Sequence, residues 1–211
     1  MNQSAELKRG IAQLGISLSA DTQATLIRFL ELLQKWNKVY NLTAIRDPQQ
    51  MVSHHLLDSL AVLPHLWPKH WLDVGCGAGF PGLVLAISKP EWQFSLLDSN
   101  SKKTSFVQQA IIELELRNVA VHCERVEAWQ PAEDFDGIIS RAFTDLGSFL
   151  RCTRHLLAQH GRWVAMKGAP EQELAGIPGG CRVERVIPLK VPGLNVARSL
   201  VIATCEESKA I

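Results

Sequence analysis

Apolar residues in the first third of the chain recur at helical spacing. Leu7, Ile11 and Leu14 share one face of a short helix over residues 4–15, which Gly15 ends. Ser19-Ala20-Asp21 supplies a cap, and Leu26, Phe29, Leu30, Leu33, Trp36 and Tyr40 mark the buried stripe of a helix from Thr22 to about Tyr40. Asn41-Leu42-Thr43 interrupts that stripe. Asp47-Pro48 starts a third helix, with Met51, Val52, Leu56, Leu60 and Leu63 on its apolar face and Pro64 near its end. The spacing predicts an all-helical cap over residues 1–65.

Beyond Trp67-Pro68 the period changes. Short apolar runs read as strands at 71–74, 92–98, 119–123, 135–140 and 161–167. Helices are expected between them: from the glycines after Val74 through Ser88, over 101–116 with Glu113 and Arg117 placed as an i,i+4 pair, and over 145–157. Two β-rich runs, 181–191 and 199–205, flank Pro192-Gly193-Leu194-Asn195, a hairpin signal. Alternating strands and helices imply an α/β domain over residues 66–211. Its sheet is mostly parallel and twisted, with helices on both faces and an antiparallel hairpin at the C-terminal edge.

Composition narrows the class. Of 211 residues, 46% are hydrophobic and 20% charged, which is globular and not disordered. The formal net charge of +1 gives no global basic field, so any nucleic acid would have to be met by a local patch. No apolar run approaches the ~20 residues of a membrane span, and no signal-peptide core follows the N-terminus. The five cysteines form no CxxC pair, so neither a zinc site nor a disulfide framework is indicated. The expectation is a cytoplasmic monomer with no metal and no membrane contact.

The candidate chemistry centres on Leu72-Asp73-Val74-Gly75-Cys76-Gly77-Ala78-Gly79-Phe80-Pro81-Gly82, read as strand, tight loop and helix. A phosphate loop would need Gly-Lys-Ser/Thr after the glycines, where Phe80-Pro81-Gly82 stands instead. The letters from Gly77 to Gly82 also fit a dinucleotide loop, but Asp73 at the strand end would repel a pyrophosphate. An acid there suits a ligand with cationic groups, and S-adenosylmethionine carries an ammonium and a sulfonium. Asp73-Val74-Gly75-Cys76-Gly77-Ala78-Gly79 resembles motif I of the Rossmann-like methyltransferases, whose methionine moiety lies over this loop. Asp98 follows Gly79 by 19 residues at the end of the second strand, the position of a ribose-binding acid.

Residues just past the fourth strand bear on the acceptor. Amino-group methylation of a base would place an Asn/Asp-Pro-Pro-aromatic run there, and the chain has Ser140-Arg141-Ala142-Phe143. Pyrimidine C5 methylation needs a nucleophilic cysteine after Pro or Thr; neither Cys123 nor Cys152 has that context. Arg141 suits an acceptor that needs no base, because a guanidinium holds phosphate or a purine carbonyl and removes no proton. The N7 of guanine has a free lone pair and needs positioning more than proton transfer. The plainer reading pairs Arg141 with Asp136 or Asp145.

Five stretches resemble the bacterial small-subunit ribosomal RNA guanine-N7 methyltransferase G family, once called glucose-inhibited division protein B. They are Lys35 to Thr43, His54 to Ser59, Asp73 to Gly82, Leu96-Leu97-Asp98-Ser99 and Ser140-Arg141-Ala142-Phe143. The likeness spans nearly the whole chain, the helical cap included. It implies a class I methyltransferase fold, S-adenosylmethionine as cofactor, and 16S ribosomal RNA or the small ribosomal subunit as partner. One guanine N7 would be methylated by direct in-line transfer without a general base. By position it carries cofactor contacts onto Gly75, Phe80, Val126, Glu127 and Arg141. Asp73, Gly77, Gly79 and Asp98 take theirs from the wider methyltransferase fold.

Other residues keep two readings. Lys167, ending the fifth strand, is a candidate catalytic contact beside Arg141, or a lysine in solvent. His54 and Asp58, four apart on one helix, read as a helical hydrogen bond or an RNA-facing patch before a metal site. Lys102 and Lys103, and the group Arg151, Arg154, His155 and Arg162, are RNA contacts or solvated faces. Trp129 borders the adenine pocket or packs in the core. A small-molecule or protein methyltransferase with the cap as a lid, and a non-catalytic cofactor-sensing or RNA-binding protein, remain as alternative functions.

Overall fold

The structure is a computed structural model and describes residues 2–67 and 69–205. The change of period at Trp67-Pro68 therefore falls partly on Pro68, outside the described residues. The three N-terminal helices start where side chains satisfy their first amides. Asn2 accepts from Ser4 N ahead of α1 (Gln3–Gln13), and Ser19 accepts from Thr22 N ahead of α2 (Ala20–Tyr40). Asn41 ends α2 in the left-handed region, φ 52°. Asp47 caps α3 (Pro48–Met51), which runs through a π-helical stretch, Val52–Leu57, into α4 (Asp58–Leu60). The third helix is thus continuous, but its turns widen where His54 and His55 lie, which the helical spacing of its apolar face alone does not reveal.

Seven strands follow: β1 (His70–Val74), β2 (Gln93–Leu97), β3 (Val119–His122), β4 (Phe135–Arg141), β5 (Leu157–Lys167), β6 (Cys181–Pro188) and β7 (Ser199–Cys205). They form one sheet in the order β3-β2-β1-β4-β5-β7-β6. β1 to β5 are parallel, and β7 pairs antiparallel with both β5 and β6. The expected mostly parallel sheet with an antiparallel C-terminal hairpin is what forms. The chain moves outward from β1 to β3, then returns to lay β4 against β1. That reversal opens a crevice at the carboxyl ends of β1 and β4, where open α/β sheets bind ligands.

Alternate residues of each strand feed opposite cores. Trp71, Phe94, Leu96, Ile139 and Val164 face a core shared with residues of the N-terminal helices such as Leu26, Phe29, Leu33 and Leu56, and with α5 (Gly82–Ser88) and α6 (Ser101–Glu113). Leu72, Leu97, Ile138 and Trp163 face a second core with α7 (Leu146–Thr153). Phe29 of α2 meets Phe80 at 5.2 Å and Phe106 at 6.1 Å between ring centroids, so the helical segment packs directly behind the glycine loop.

Four local expectations shift. α7 stops at Thr153 and a 3-10 turn, Arg154–Leu156, leads into β5 at Leu157, not Gly161. Leu157 turns extended and pairs with Phe135 of β4, although it also fits the helical stripe. β6 ends at Pro188, which has no amide hydrogen to continue a ladder. Leu189 N donates to Arg198 O at 2.8 Å, closing a longer loop around the expected Pro192–Asn195 turn. α6 ends at Glu113, whose carboxylate accepts from Gln109, so the i,i+4 geometry toward Arg117 does not exist.

Candidate functional site at the switch point

The glycine loop is tied to the neighbouring strand before any ligand is considered. Leu97 O accepts from Gly75 N at 2.8 Å and Cys76 N at 3.1 Å, and Asp98 Oδ2 accepts from Gly77 N at 2.9 Å. Asp98 Oδ1 accepts from Asn100 N at 2.8 Å. Each carboxylate oxygen keeps a lone pair for a further donor. Gly75 turns with φ +70°, and a Cβ on it would lie 2.5 Å from the Phe143 ring. Only glycine meets both demands. Above Gly77 the nearest atom to such a Cβ is 4.0 Å away, so that side of the loop is open.

Asp73 lies beneath the loop, fully buried at the end of β1. Its Oδ2 accepts from Gly82 N at 2.7 Å, which joins the strand to the start of α5. Its Oδ1 has no partner among the described residues. Burial pushes the Asp73 carboxyl up to about 7, against the pull of the Gly82 amide and of Arg141; Asp98 pushes the same way as burial. Gly82 is required by contact. A Cβ there would stand 2.7 Å from Asp73 Oδ2, 2.8 Å from Asp73 Cβ and 3.0 Å from Leu96 Cγ. Gly82→Ala should lift α5 off the sheet and cost about 2 kcal/mol, lowering the melting temperature by several degrees. An unchanged melting curve would show that α5 is not locked against Asp73.

A cavity of about 280 Å³ opens beside the loop at Gly75. It is lined by Val74, Gly75, Leu97, Asp98, Ser99, Lys103, Glu124, Arg125, Val126, Glu127, Ala142 and Phe143. Of the candidate cofactor residues, Gly75, Asp98, Val126 and Glu127 line it, from the ends of β1 and β2 and the segment after β3, whereas Asp73, Gly77, Gly79, Phe80 and Arg141 are not part of the lining. Lys103 joins them from the first turn of α6, where Asn100 caps the helix. Ser99, Arg125, Ala142 and Phe143 were missed. Ala142 holds φ +54°, an uncommon conformation for alanine, and so turns Phe143 toward Gly75. Phe143 stays 36% exposed at the mouth.

Arg141 ends β4, but its partner is neither Asp136 nor Asp145. Asp136 binds Lys69 and His70 N, and Asp145 caps α7 through Ser148 N. Arg141 Nη1 donates to Asp58 Oδ2 and to His54 O, both at 3.0 Å. Its guanidinium carbon lies 5.1 Å from the Phe80 ring centroid, and Phe80 stacks on His55 at 4.4 Å. Burial, and then the charges of Arg141 and His54, lower His55 to about 3, so its ring is neutral; Nε2 meets Thr43 Oγ1 at 3.0 Å. His54 bonds back to Gln50 O. An acid inside Leu56-Leu57-Asp58-Ser59-Leu60 was the available signal, since a carboxylate on a buried face must be paired.

Lys167 turns away from the cavity: Nζ lies 2.7 Å from Glu173 Oε2 and donates to Thr144 O. Trp129 packs in the second core, 5.7 Å from Phe135 between ring centroids. Arg151, Arg154 and Arg162 each bond to a neighbour, Ser148, Gly179 O and Glu184, and His155 to Trp129 O. Burial pushes the Cys76 thiol well up, and burial with the Glu127 charge pushes Cys152 up to about 11, so neither is a thiolate near neutrality. Among the described residues no cluster of three metal-ligating side chains forms, and no helix is long and apolar enough to cross a membrane.

The geometry meets the demands of S-adenosylmethionine. An acid with spare lone pairs lines the cavity, the backbone is bare above Gly77, and a buried carboxylate oxygen without a partner lies below. A family model for rRNA small subunit methyltransferase G matches residues 22–201. The ribosomal RNA small subunit methyltransferase G of Laribacter hongkongensis is 55% identical over 95% of this chain and 98% of its own. The Nitrosomonas eutropha protein of that name is 44% identical over 97% and 99%. Among solved structures, an N-methyltransferase from Bradyrhizobium japonicum in complex with S-adenosyl-L-homocysteine aligns with TM-score 0.58 and 13% identity, over 83% of this chain and 99% of that one. A SAM-dependent methyltransferase from Aquifex aeolicus aligns with TM-score 0.55 and 22% identity, over 80% and 96%. These two likenesses concern the fold.

Proposed function

Because the chain belongs to the rRNA small subunit methyltransferase G family, we propose that this rRNA methyltransferase methylates N7 of one guanine in 16S ribosomal RNA. The observation that carries the finer reading is the polarity of the strand ends. Arg141, a guanidinium already paired with a carboxylate, stands where other acceptors would need a base or a nucleophile, and Cys76 and Cys152 are held as thiols. Bound S-adenosylmethionine supplies a methyl group on a cationic sulfur that a free lone pair displaces directly. The chain's residues then bind and orient. Asp98 accepts from the ribose hydroxyls, Val126 and Glu127 border the adenine, and Gly75, Gly77 and Gly79 let the methionine part approach the backbone. Asp73 faces its ammonium. Arg141, steadied on Phe80, holds its carboxylate side and the entry to the acceptor.

In this reading residues 1–65 act as a cap framing the acceptor side of the domain at 66–211, and the protein works as a monomer. Phe143 offers an exposed ring on which an unstacked base can lie. Lys167 acts indirectly, holding the loop behind Phe143 through Thr144 and Glu173. With a net charge of +1, recognition rests on RNA shape more than on a basic field. Labelled methyl donor incubated with small subunits lacking the modification should label 16S rRNA at a single guanine. Mass mapping should find the label as N7-methylguanine. Label on another base atom would overturn the N7 assignment, and label in protein or metabolite alone would overturn the rRNA substrate.

A further inference from the structure

The third cap helix places a carboxylate where the sheet's functional edge needs one. Asp58 follows the π-helical stretch, and its side chain is 2% exposed. Each oxygen receives a different guanidinium: Oδ2 from Arg141 Nη1 and Oδ1 from Arg198 Nε, both at 3.0 Å. One arginine ends β4, and the other immediately precedes β7. A single arginine would neutralise this carboxylate. Two give the three-residue group a net positive charge in a half-buried place, which the nearby Asp73 carboxyl offsets only when ionised, so the group favours an added anion. Both arginine side chains are partly exposed, at 20% and 28%. Arg141 Nη2 and Arg198 Nη2 have no protein partner among the described residues.

We propose that Asp58 is a positioning residue that acts through Arg141. It fixes that guanidinium, with Arg198 beside it, in the orientation that receives an oxyanion at the donor site. An arginine has many rotamers in solution, and ordering it during binding weakens binding. Asp58 and the His54 carbonyl hold one edge of Arg141, and Phe80 holds its face, so the opposite edge is aimed before a ligand arrives. The stacked pair Phe80 and His55 extends this support into the cap, through Thr43. The cap thereby orders a side chain of the sheet domain across 83 residues of sequence.

The inference rests on Arg141 as a contact for the donor. Asp58→Asn keeps the size and one acceptor oxygen but loses the charge. It should weaken S-adenosylmethionine binding on the order of 10-fold in titration calorimetry, as when other orienting partners are removed. In an Arg141→Ala background the same change should have less than about a 2-fold effect, because the side chain it orients is gone. Should Asp58→Asn fail to fold, Asp58→Glu serves, with the charge kept and the carboxylate displaced; it should bind the donor several-fold more weakly at a near-native melting temperature. Wild-type donor affinity in a folded Asp58 variant would overturn the proposal. So would an equal loss in both backgrounds, which would make Asp58 a general structural tie. Wild-type protein that binds the donor but never labels rRNA would instead overturn the functional reading and leave this test standing.

Discussion

Arg141→Ala is expected to lower methyl transfer to small-subunit rRNA by about 100-fold or more, from the combined loss of a charge-assisted contact and of preorganisation. Arg141 touches the cap and the glycine loop from the fourth strand, through Asp58, Phe80 and its own place at the end of β4. In the proposed reading alanine removes the group that holds the donor's carboxylate side, and it leaves Asp58 with Arg198 alone. Because Asp58 is almost fully buried, that second effect should cost about 2 kcal/mol of stability, below the full penalty of an unpaired buried charge. Donor affinity by calorimetry and the melting temperature separate the two losses. Arg141→Lys sharpens the test, since an ammonium keeps the charge but lacks the planar fork that serves Asp58 and the far edge at once. It should recover stability more than transfer. Full transfer in a folded alanine variant would remove Arg141 from the site.

The sequence disclosed those parts of the molecule whose demands are written in single residue types. A tight turn against a ring admits only glycine at 75, and the interval from Gly79 to Asp98 is the length of one helix and one strand, so the loop and the acid opposite it were legible. The mostly parallel sheet followed from the alternation of strands and helices, because a parallel crossover leaves few topologies; the order of its strands did not. Contacts made across long separations were hidden. Nothing local to Arg141 points to Asp58, 83 residues earlier, or ties that acid to Arg198, 140 residues later. The nearer acids, Asp136 and Asp145, were the natural partners on distance along the chain, and each is taken by a local task instead. The start of β5 was hidden for another reason: Leu156 and Leu157 continue the apolar stripe of α7, and only pairing with Phe135 pulls Leu157 into the sheet. Lys167 shows the limit of position alone. Its strand end was readable, but its direction depends on Glu173, in a loop with no periodic signal.

Asp73→Asn is expected to weaken S-adenosylmethionine binding roughly 10- to 100-fold, the range for a hydrogen bond to a charged group, while making the unliganded protein more stable at neutral pH. The two effects have one cause. Burial holds the Asp73 carboxyl up to about 7 in the fold, against an ordinary 3.8. A carboxyl raised in the folded state favours folding where it is protonated. That contribution is fully present below about 3.8 and is lost as pH rises toward 7 and beyond. His55 works in the opposite sense: lowered to about 3 from 6.5, it destabilises the fold as pH falls through that interval. Its effect is common to both proteins and cancels in their difference. The stability gap between Asp73→Asn and wild type should therefore widen in favour of the variant from pH 4 to 7 and then level off. Donor binding should reverse the sense. A cationic ammonium facing Asp73 favours the carboxylate, so binding near pH 6 should release a proton. The release should fade above about pH 8 and be absent in the variant. Calorimetry in buffers of different ionisation enthalpy measures that proton directly. Equal release from both proteins, or none from wild type, would mean that Asp73 serves only the Gly82 amide and the packing of α5.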